Sequence, residues 1–339
     1  MLEKPDIPDE TIIACLQSEY RLPILEIAFL PLGGDLSTAV YRLVTQDGAP
    51  YFCKLKRDIF DPISVALPKF LSEQGLPEII PPLVTRSGEL WAVLEEFRLI
   101  LYPFVEGTAG YEVELTERQW AGFGAAMKRL HTTSLPLALL PDIRQERYSP
   151  EWRDCFREIL ERLDRETFTD RLSLDLVRFL QPRREMALEA LRRAEELAQG
   201  MPLRQLDFVL CHSDIHPGNL LIDGQGTLFV VDWDYPMLAP KERDLMFIGG
   251  GQGFMPYRAE QEERLFYQGY GPPQIDPGAL AYYRCERVVT DLTVECERIL
   301  SETLGEQDRA NAFETLQLYF LPGCTVEIAL ASNGMEGTG

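Results

Sequence analysis

The sequence lacks the features of secreted, zinc-scaffolded and membrane-spanning proteins. Its seven cysteines are scattered, odd in number and without a CxxC pair, which argues against a disulfide framework or a zinc–thiolate site. The N-terminal segment has no basic stretch followed by an apolar run, so no secretory signal is expected. No apolar run reaches the roughly 18 residues of a membrane span. We therefore expect a cytoplasmic protein with reduced thiols.

Positive charge is also scarce. The chain has 33 Lys and Arg residues against 54 Asp and Glu residues, and its net charge is −21. Because such a charge repels phosphate backbones, a nucleic-acid partner is not expected. Two explanations of the acidity stay open: a general contribution to solubility, which is the more ordinary one, and a cationic small-molecule partner. The sequence does not indicate an oligomeric state.

The chain of 339 residues is longer than one hydrophobic core usually spans, so two lobes are expected. The N-terminal part combines helices at 9–20 and 63–75 with β-rich segments, and Pro68 falls inside the second helix. A glycine-rich hairpin tip is predicted at 33–37. The predicted strands cover 24–30, 38–44, 50–56, 91–96 and 98–104.

Beyond residue 108 the pattern becomes mainly helical. Thr116 and Gln119 form a capping signature at the start of the first helix. We predict an α+β protein with a small β-rich N-terminal lobe (1–104), a hinge at 102–107 and a larger, mainly helical C-terminal lobe (108–339). The predicted helices cover 116–133, 151–163, 172–199, 258–269, 277–302 and 306–319, and short strands lie around 207–211, 219–222 and 227–231.

The segment CHSDIHPGNLLI (211–222) concentrates reactive side chains. One hypothesis is a metal site, because His212, Asp214 and His216 alternate and would share one face of a strand, with Cys211 as a sulfur ligand. That site needs a further ligand, for which His131 is the remaining histidine and for which a core role is the simpler explanation. A nucleophilic serine at this position would lack the G-x-S-x-G context.

The alternative is phosphoryl transfer, which uses the oxygens of this segment. Asp214 and Asn219 have the spacing D-x-x-x-x-N, and Asp232 ends an apolar strand 13 residues after Asn219. This chemistry needs a carboxylate that takes the proton of the acceptor hydroxyl, and oxygen ligands for Mg²⁺. The combination predicts Asp214 as the catalytic base and Asn219 with Asp232 as metal ligands.

Elements that bind nucleotide phosphates precede this segment in the expected order. Lys54 lies in the third predicted strand and is the candidate for the phosphate-binding lysine, with Lys56 on the same face. The upstream hairpin offers backbone N–H groups and hydroxyls to the phosphates through Gly33, Gly34, Ser37 and Thr38. The lysines and the glycine-rich hairpin could each be ordinary surface features when taken alone. The prediction of a nucleotide site depends on their order along the chain.

Two departures from protein kinases indicate a small acceptor. Ser213 stands where those enzymes have the arginine that grips a phosphorylated activation loop. Only 12 positions separate Asp232 from Asp244, which leaves little room for such a loop. We therefore expect phosphorylation of a small molecule.

The motifs CHSDIHPGNLLI, VVDWDYPMLAPKERDLMFIGGG and AYYRCERVVTDL together resemble the aminoglycoside phosphotransferase family over nearly the whole chain. The resemblance implies a protein-kinase-like bilobal fold with ATP in the cleft between the lobes and Mg²⁺ on Asn219 and Asp232. It also implies adenine contacts from the backbone of Tyr102, Pro103, Phe104 and Val105. The carboxylate that orients Lys54 is left unassigned between Asp61 and Glu73.

The acceptors of this family are cationic antibiotics whose amines are held by carboxylates. The resemblance therefore implies an aminocyclitol or aminoglycoside acceptor, with spectinomycin as the leading candidate and antibiotic resistance as the role. Two hypotheses stay open beside it: a metabolic kinase of the choline, homoserine or methylthioribose type, and a nucleotide-binding module without catalysis. A solvated helix face is the simpler explanation for Asp291 and Glu295, which are spaced i,i+4. The substrate-binding candidates are Asp234, Glu242, Arg284, Glu286, Asp291 and Glu295.

Overall fold

The computed structural model describes residues 4–32, 37–57, 60–249 and 259–332. The strands are β1 (Ile24–Leu30), β2 (Thr38–Thr45), β3 (Pro50–Lys56), β4 (Ala92–Leu94), β5 (Phe97–Pro103), β6 (Gly107–Ala109), β7 (Arg144–Gln145), β8 (Phe208–Cys211), β9 (Leu220–Asp223), β10 (Leu228–Val230) and β11 (Met237–Pro240). The helices are α1 (Asp9–Tyr20), α2 (Ile63–Glu73), α3 (Glu117–Thr132), α4 (Glu151–Arg165), α5 (Arg171–Leu180), α6 (Arg184–Gly200), α7 (Glu242–Leu245), α8 (Ala259–Tyr270), α9 (Pro277–Ile299), α10 (Glu306–Tyr319) and α11 (Thr325–Ala331).

The chain packs as two compact units, which we call the N-terminal unit and the helical unit. The N-terminal unit comprises Met1–Ala109, Leu137–Asp142 and Asn219–Tyr235, and the helical unit comprises the remaining segments. A β-rich N-terminal region and a mainly helical C-terminal region are thereby confirmed. The lobe boundaries at 104 and 108 stay a prediction.

A five-stranded antiparallel sheet forms the body of the N-terminal unit, in the order β1-β2-β3-β5-β4. Successive side chains of a strand point to opposite faces. On β3 this alternation buries Cys53 and Leu55 in a core that α1 also enters, while Lys54 and Lys56 point to the other face. The strand therefore presents two ammonium groups side by side.

A second sheet of the same unit brings the ends of two strands together. Its strands lie in the order β10-β9-β6, and β9 and β10 form an antiparallel hairpin in which Leu220 is paired with Val230. The residue before β9 and the residues after β10 are neighbours for that reason, and the Val231 N–H donates to the Asn219 carbonyl at 2.9 Å. The hairpin thus brings Asn219 close to the segment that carries Asp232.

In the helical unit, α9 packs with α4, α5, α6, α10 and α11 around one hydrophobic core. A separate close contact joins α3 and α8. A Cβ atom on Gly124 would lie 2.0 Å from the Phe266 carbonyl oxygen, and one on Gly269 would lie 1.7 Å from that of Ala121. These glycines allow the two helix backbones to touch.

Features that depend on neighbouring residues were predicted better than strands that depend on pairing with distant segments. The capping box of Thr116 and Gln119 is confirmed at the start of α3. The single helix over 172–199 is wrong: a 3-10 turn at 181–183 separates α5 from α6, because Pro182 lacks the N–H that continues an α-helix. Strands β6, β7 and β11 and helices α7 and α11 were not predicted. Pro68 lies inside α2.

None of the described helices has the length and apolarity of a membrane-spanning segment. Of the predicted hairpin tip, residues 33–36 lie outside the described part of the chain, and these include Gly33 and Gly34. Ser37 is half-buried, and its carbonyl accepts a hydrogen bond from the Arg57 N–H at 2.9 Å. Thr38 is buried at the first position of β2.

Candidate active site

The backbone that precedes Asp214 is held by a buried carboxylate. Asp244, on α7, accepts hydrogen bonds from the backbone N–H groups of His212 and Ser213 at 2.9 and 2.7 Å. The same carboxylate lies 3.0 Å from His131 Nε2. Ser213 has a φ of 74°, a conformation that non-glycine residues adopt rarely and that is enriched at functional sites. Asp244 is therefore a structural anchor of the loop.

The zinc hypothesis loses its support in this arrangement. Within the described ranges, the one His/Cys/Asp/Glu group compact enough for a metal ion is His131, Cys211 and Asp244. Its members already bond to protein groups: His131 Nδ1 lies 2.7 Å from the hydroxyl oxygen of Tyr270, and the Cys211 thiol donates to backbone carbonyls. His131 thus has the core role that the sequence favoured.

Asp214 lies beside a guanidinium group. Arg287 Nη1 donates to Asp214 Oδ1 at 2.6 Å, and His216 Nε2 lies 3.6 Å from Asp214 Oδ2. Burial on its own would raise the pKa of Asp214, but Arg287, with smaller contributions from His216 and His212, lowers it to about 2. Asp214 is therefore a carboxylate at neutral pH, as a proton acceptor must be.

Arg287 also binds Asp291 one helical turn further along α9, with its Nε 2.8 Å from Asp291 Oδ2. We call Asp214, Arg287 and Asp291 the arginine bridge. Its guanidinium carbon lies 5.2 Å from the ring centroid of Phe247, within cation–π range. Burial raises the pKa of Asp291, and Arg287 opposes that rise.

His216 is fixed by its own neighbours. The Gly218 N–H donates to His216 Nδ1 at 3.0 Å, so in the neutral ring the proton lies on Nε2, the atom that faces Asp214. The ring of Tyr111 stacks on His216 with centroids 5.5 Å apart and planes inclined by 15°. A Cβ atom on residue 218 would lie 2.7 Å from both rings, so glycine is required there.

Four charged side chains of the N-terminal unit form a second group, which we call the lysine cluster. Lys54 Nζ lies 3.0 Å from Asp232 Oδ1 and 2.9 Å from Asp234 Oδ1, and Lys56 Nζ lies 2.7 Å from Asp234 Oδ2. Burial opposes the charge of Lys54 and of Asp234. The opposite charges prevail, so that the pKa of Lys54 is raised and that of Asp234 is lowered.

The lysine cluster answers the question of the Lys54 partner in part. The carboxylates in contact with Lys54 follow β10, whereas the two sequence candidates belong to α2 and its start. Asp61 accepts a hydrogen bond from the Ile63 N–H, and Glu73 pairs with Lys69. No local sequence signal indicated this pairing, because Lys54 and Asp234 are 180 positions apart.

Asn219 and Asp232 have the chemistry of magnesium ligands. An amide oxygen and a carboxylate oxygen are donors that Mg²⁺ accepts. Asp232 has a φ of 65°, and its side chain is 47% exposed, which leaves the carboxylate accessible, whereas Asn219 is buried. With the hairpin that joins their backbones, these residues fit a magnesium ion.

The candidates for adenine binding continue from the end of β5. Tyr102 and Pro103 pair with β3. The guanidinium carbon of Arg42 lies over the ring of Phe104, 5.2 Å from the ring centroid. Val105 is half-buried in the same segment. These residues form one short stretch of the N-terminal unit, and their role in binding stays a prediction.

The candidates for substrate binding separate into different surroundings. Asp291 joins the arginine bridge and Asp234 joins the lysine cluster. Glu242 is buried and accepts a hydrogen bond from the Asp276 N–H at 3.0 Å, and Arg284 donates to the carbonyls of Met246 and Ile248. The role of these residues in substrate binding stays a prediction.

Two further candidates on α9 are acidic and buried. Glu286 lies 3.6 Å from Arg153, and Glu295 lies 3.3 Å from Arg298. Burial raises the pKa of each carboxyl to about 7, against the attraction of these arginines. Asp291 and Glu295 therefore do not lie on a solvated helix face, because both side chains are largely covered.

Sequence reasoning missed Arg287, the residue that contacts Asp214. Its i,i+4 spacing to Asp291 was a signal for a pair on one helix face. Its contact with Asp214 spans 73 positions and left no local trace.

Comparison with known proteins agrees with this geometry. Residues 28–283 match the model of the phosphotransferase enzyme family. A crystal structure of a spectinomycin phosphotransferase in complex with ADP and spectinomycin is 34% identical, covers 98% of this chain and 100% of that chain, and superimposes with a TM-score of 0.90. The AMP-bound complex of spectinomycin phosphotransferase is 33% identical, covers 96% of this chain and 99% of that chain, and has a TM-score of 0.85.

Among curated proteins, the protein StrN of Streptomyces griseus is 26% identical over 259 residues, which are 74% of this chain and 77% of StrN. The protein-kinase-like fold predicted from the motifs is confirmed by these similarities. The chain belongs to the phosphotransferase enzyme family and is a small-molecule kinase.

Proposed function

We propose that this kinase transfers the γ-phosphoryl group of ATP to a hydroxyl group of a cationic aminocyclitol or aminoglycoside antibiotic, with spectinomycin as the leading acceptor. The observation that carries the proposal is Asp214, an ionised carboxylate held at 2.6 Å by Arg287 in a loop of the kinase motif. The similarity to a spectinomycin phosphotransferase over nearly the whole chain supports the acceptor class. Antibiotic resistance is the biological role that this activity would serve.

Asp214 is the proposed catalytic base. The acceptor oxygen forms a bond to the γ-phosphorus while the bond from that phosphorus to the β,γ-bridging oxygen breaks. ADP leaves with the electron pair, and the proton of the acceptor hydroxyl passes to the Asp214 carboxylate. Positioning the acceptor oxygen and taking up its proton are the tasks of this residue.

Lys54, Asn219 and Asp232 are proposed to hold the phosphates and their metal ion. A magnesium ion bound by Asn219 and Asp232 would neutralise phosphate charge. Lys54 supplies a compact positive charge for the phosphate oxygens, and its present carboxylate partners keep it protonated. Asp214 and Asn219 are five positions apart, so that a single loop carries the base and a metal ligand.

The remaining roles follow the chain segments described above. We propose that the stretch from Tyr102 to Val105 contacts adenine through its backbone, and that Ser37 and Thr38, with the adjoining Gly33 and Gly34, contact the phosphates. The acidic character of the chain, with a net charge of −21, favours a cationic acceptor. Asp291 is the strongest of the substrate candidates, because it lies in the arginine bridge with Asp214.

The test is a panel of acceptors incubated with the protein, ATP and Mg²⁺, followed by mass spectrometry. The panel contains spectinomycin, an aminoglycoside, choline, homoserine and methylthioribose. We expect one added phosphate on spectinomycin and a product that is absent when Mg²⁺ is removed by chelation. If choline, homoserine or methylthioribose were the sole acceptor phosphorylated, the protein would be a metabolic kinase and not an antibiotic kinase. If none of the acceptors were phosphorylated, the proposed activity would be contradicted.

A further inference from the structure

The guanidinium of Arg287 joins two carboxylates through different nitrogens. Nη1 donates to Asp214 Oδ1 at 2.6 Å, and Nε donates to Asp291 Oδ2 at 2.8 Å. The Arg287 side chain is 26% exposed and that of Asp291 is 12% exposed, so the bridge is shielded from much of the surrounding water. Ion pairs at such partly buried positions are screened less by salt than pairs on an open surface.

The position of Arg287 is itself determined by its helix. Asp291 lies one turn further along α9, the i,i+4 spacing that places two side chains on the same face. The guanidinium carbon of Arg287 also lies over the ring of Phe247, 5.2 Å from its centroid. Because Asp291 and Phe247 hold Arg287 from α9 and from the segment after α7, the N–H that reaches Asp214 has a fixed direction.

The bridge has a direct consequence for the carboxylate of Asp214. A carboxylate attached to a backbone loop can rotate about two side-chain bonds, and a hydrogen bond to one oxygen selects one orientation of its plane. Arg287 engages Oδ1, whereas Oδ2 is the oxygen that faces Nε2 of His216 at 3.6 Å. The two oxygens are therefore not equivalent.

We propose that Arg287 is a positioning residue for the reaction: it engages Oδ1 of Asp214, and the proton of the acceptor hydroxyl is taken by Oδ2. The inference rests on the proposed function of Asp214 as the catalytic base. Arg287 itself does not exchange a proton, because its guanidinium stays charged throughout. Its contribution is to keep the base ionised and its plane aligned.

An arginine is suited to this task, and a lysine is not equivalent. The planar guanidinium presents separate N–H groups in a rigid arrangement, so it can hold two carboxylates at once with defined directions. A lysine ammonium at the same position keeps the charge but loses the fixed directions. Arg287→Lys therefore separates the charge of the bridge from its geometry.

The experiment compares Arg287→Ala and Arg287→Lys with a matched control, Arg309→Ala. Arg309 forms an ion pair of the same length, 2.6 Å to Asp170, in the helical unit but outside the candidate site. We expect Arg287→Ala to lower kcat roughly 10- to 100-fold, the range expected for a reacting group displaced by about 1 Å. Arg287→Lys should recover part of that loss, and Arg309→Ala should keep kcat within about threefold of the wild type.

Two further measurements separate positioning from a structural role. Guanidinium ion at non-denaturing concentration should restore part of the activity of Arg287→Ala and leave Arg309→Ala unchanged. In an Asp214→Ala background, Arg287→Ala should cause no further loss of the residual rate, because residues that act through each other are not additive. Nucleotide binding, followed with a fluorescent ATP analogue, should be unaffected in every variant that folds.

The inference would be overturned by an Arg287→Ala variant with wild-type kcat, or by equal losses from Arg287→Ala in the presence and absence of Asp214. Failure of the proposed function gives a different result. In that case the wild-type protein itself forms no phosphorylated product, or Asp214→Ala retains wild-type turnover.

Discussion

The lysine cluster and the arginine bridge solve the same electrostatic problem in different ways. The lysine cluster pairs two carboxylates with two ammonium groups, which point from alternate positions of one strand. The arginine bridge pairs two carboxylates with a single guanidinium, and two of its members lie one helical turn apart. The first group is balanced in charge, whereas the second retains one negative charge.

The difference in chemistry suggests different tasks. Ammonium groups are compact charges on flexible stems, and Asp232 is 47% exposed, so the contacts of the lysine cluster can exchange for a phosphate and a metal ion. The guanidinium is planar and is held by Asp291 and Phe247, so the arginine bridge keeps a fixed geometry. We infer that the lysine cluster binds and the arginine bridge orients.

We expect the largest effect on kcat from substitution of Asp214, which should affect catalysis and not nucleotide binding. Asp214→Ala removes the proposed proton acceptor, and general bases contribute roughly 10²- to 10⁴-fold to a rate, so we expect kcat to fall by about that factor. Nucleotide affinity should stay within about threefold, because the phosphate contacts that we propose belong to the lysine cluster. Single-turnover phosphate transfer and binding of a fluorescent ATP analogue measure the two quantities.

Asp214→Asn is the matched control, because it keeps the shape of the side chain and an oxygen for Arg287 but cannot accept the proton. We expect it to be as inactive as the alanine variant, to within about tenfold. If Asp214→Asn retained most of the turnover, neither proton uptake nor the negative charge of Asp214 would be required, and the contrast between binding and orienting groups would be lost.

What the sequence predicted reflects how far apart the interacting residues lie along the chain. The proximity of Asn219 to the segment of Asp232 was predictable because a hairpin of local contacts joins them, and the cap of Thr116 with Gln119 because a capping box spans one turn. The partners of Lys54 and the contact of Arg287 with Asp214 were missed. They depend on tertiary packing across 178 and 73 positions, for which a single sequence contains no spacing rule.

The errors in the fold have the same origin. Apolar periodicity correctly predicted that 172–199 is helical in character, but the periodicity extends across Pro182 and hides the break between α5 and α6. The strands β6, β7 and β11 are short and are defined by their partners on distant segments. Their own two to four residues contain too few alternations to be recognised.

A second prediction tests the lysine cluster from within. Lys54 contacts both Asp232 and Asp234, and Lys54→Met should weaken nucleotide binding roughly 10- to 100-fold, the equivalent of one charge-assisted hydrogen bond. Lys56→Met removes an equal charge from the same strand face, where the contact is to Asp234. We expect a smaller loss from it, below about fivefold.

Isothermal titration with ATP and Mg²⁺ gives the two dissociation constants. Equal losses from both variants would mean that the nucleotide responds to the total charge of the strand face and not to a contact with Lys54. A loss of kcat with unchanged nucleotide affinity in Lys54→Met would instead mean that this lysine orients the reacting groups and does not contribute to nucleotide binding.

The smallest expected effect concerns Glu286, which is adjacent to Arg287 on α9. The pKa of Glu286 is shifted in the opposite direction from that of Asp214. Arg287 holds Asp214 at 2.6 Å, and the pKa of that carboxyl is lowered to about 2. The separation between Arg153 and Glu286 is 3.6 Å, and burial raises the pKa of Glu286 to about 7. Between these two carboxylates, the shorter arginine contact accompanies the lowered pKa and the longer contact accompanies the raised one.

A raised pKa in the folded state means that Glu286 stabilises the protein below the pKa of the unfolded chain and that this stabilisation is lost as the pH rises through about 7. Glu286→Gln cannot ionise and should remove this dependence. Between pH 5.5 and about pH 8.5, the wild type should therefore lose about 1–2 kcal/mol of its free energy of unfolding through Glu286, and Glu286→Gln should not lose it. The difference in free energy of unfolding between Glu286→Gln and the wild type should increase by that amount over this pH range. Urea denaturation at both pH values measures the difference, with the exposed Glu166→Gln as a control that should change by less than about 0.5 kcal/mol. An unchanged difference for Glu286→Gln would show that Arg153 compensates this carboxylate as fully as Arg287 compensates Asp214.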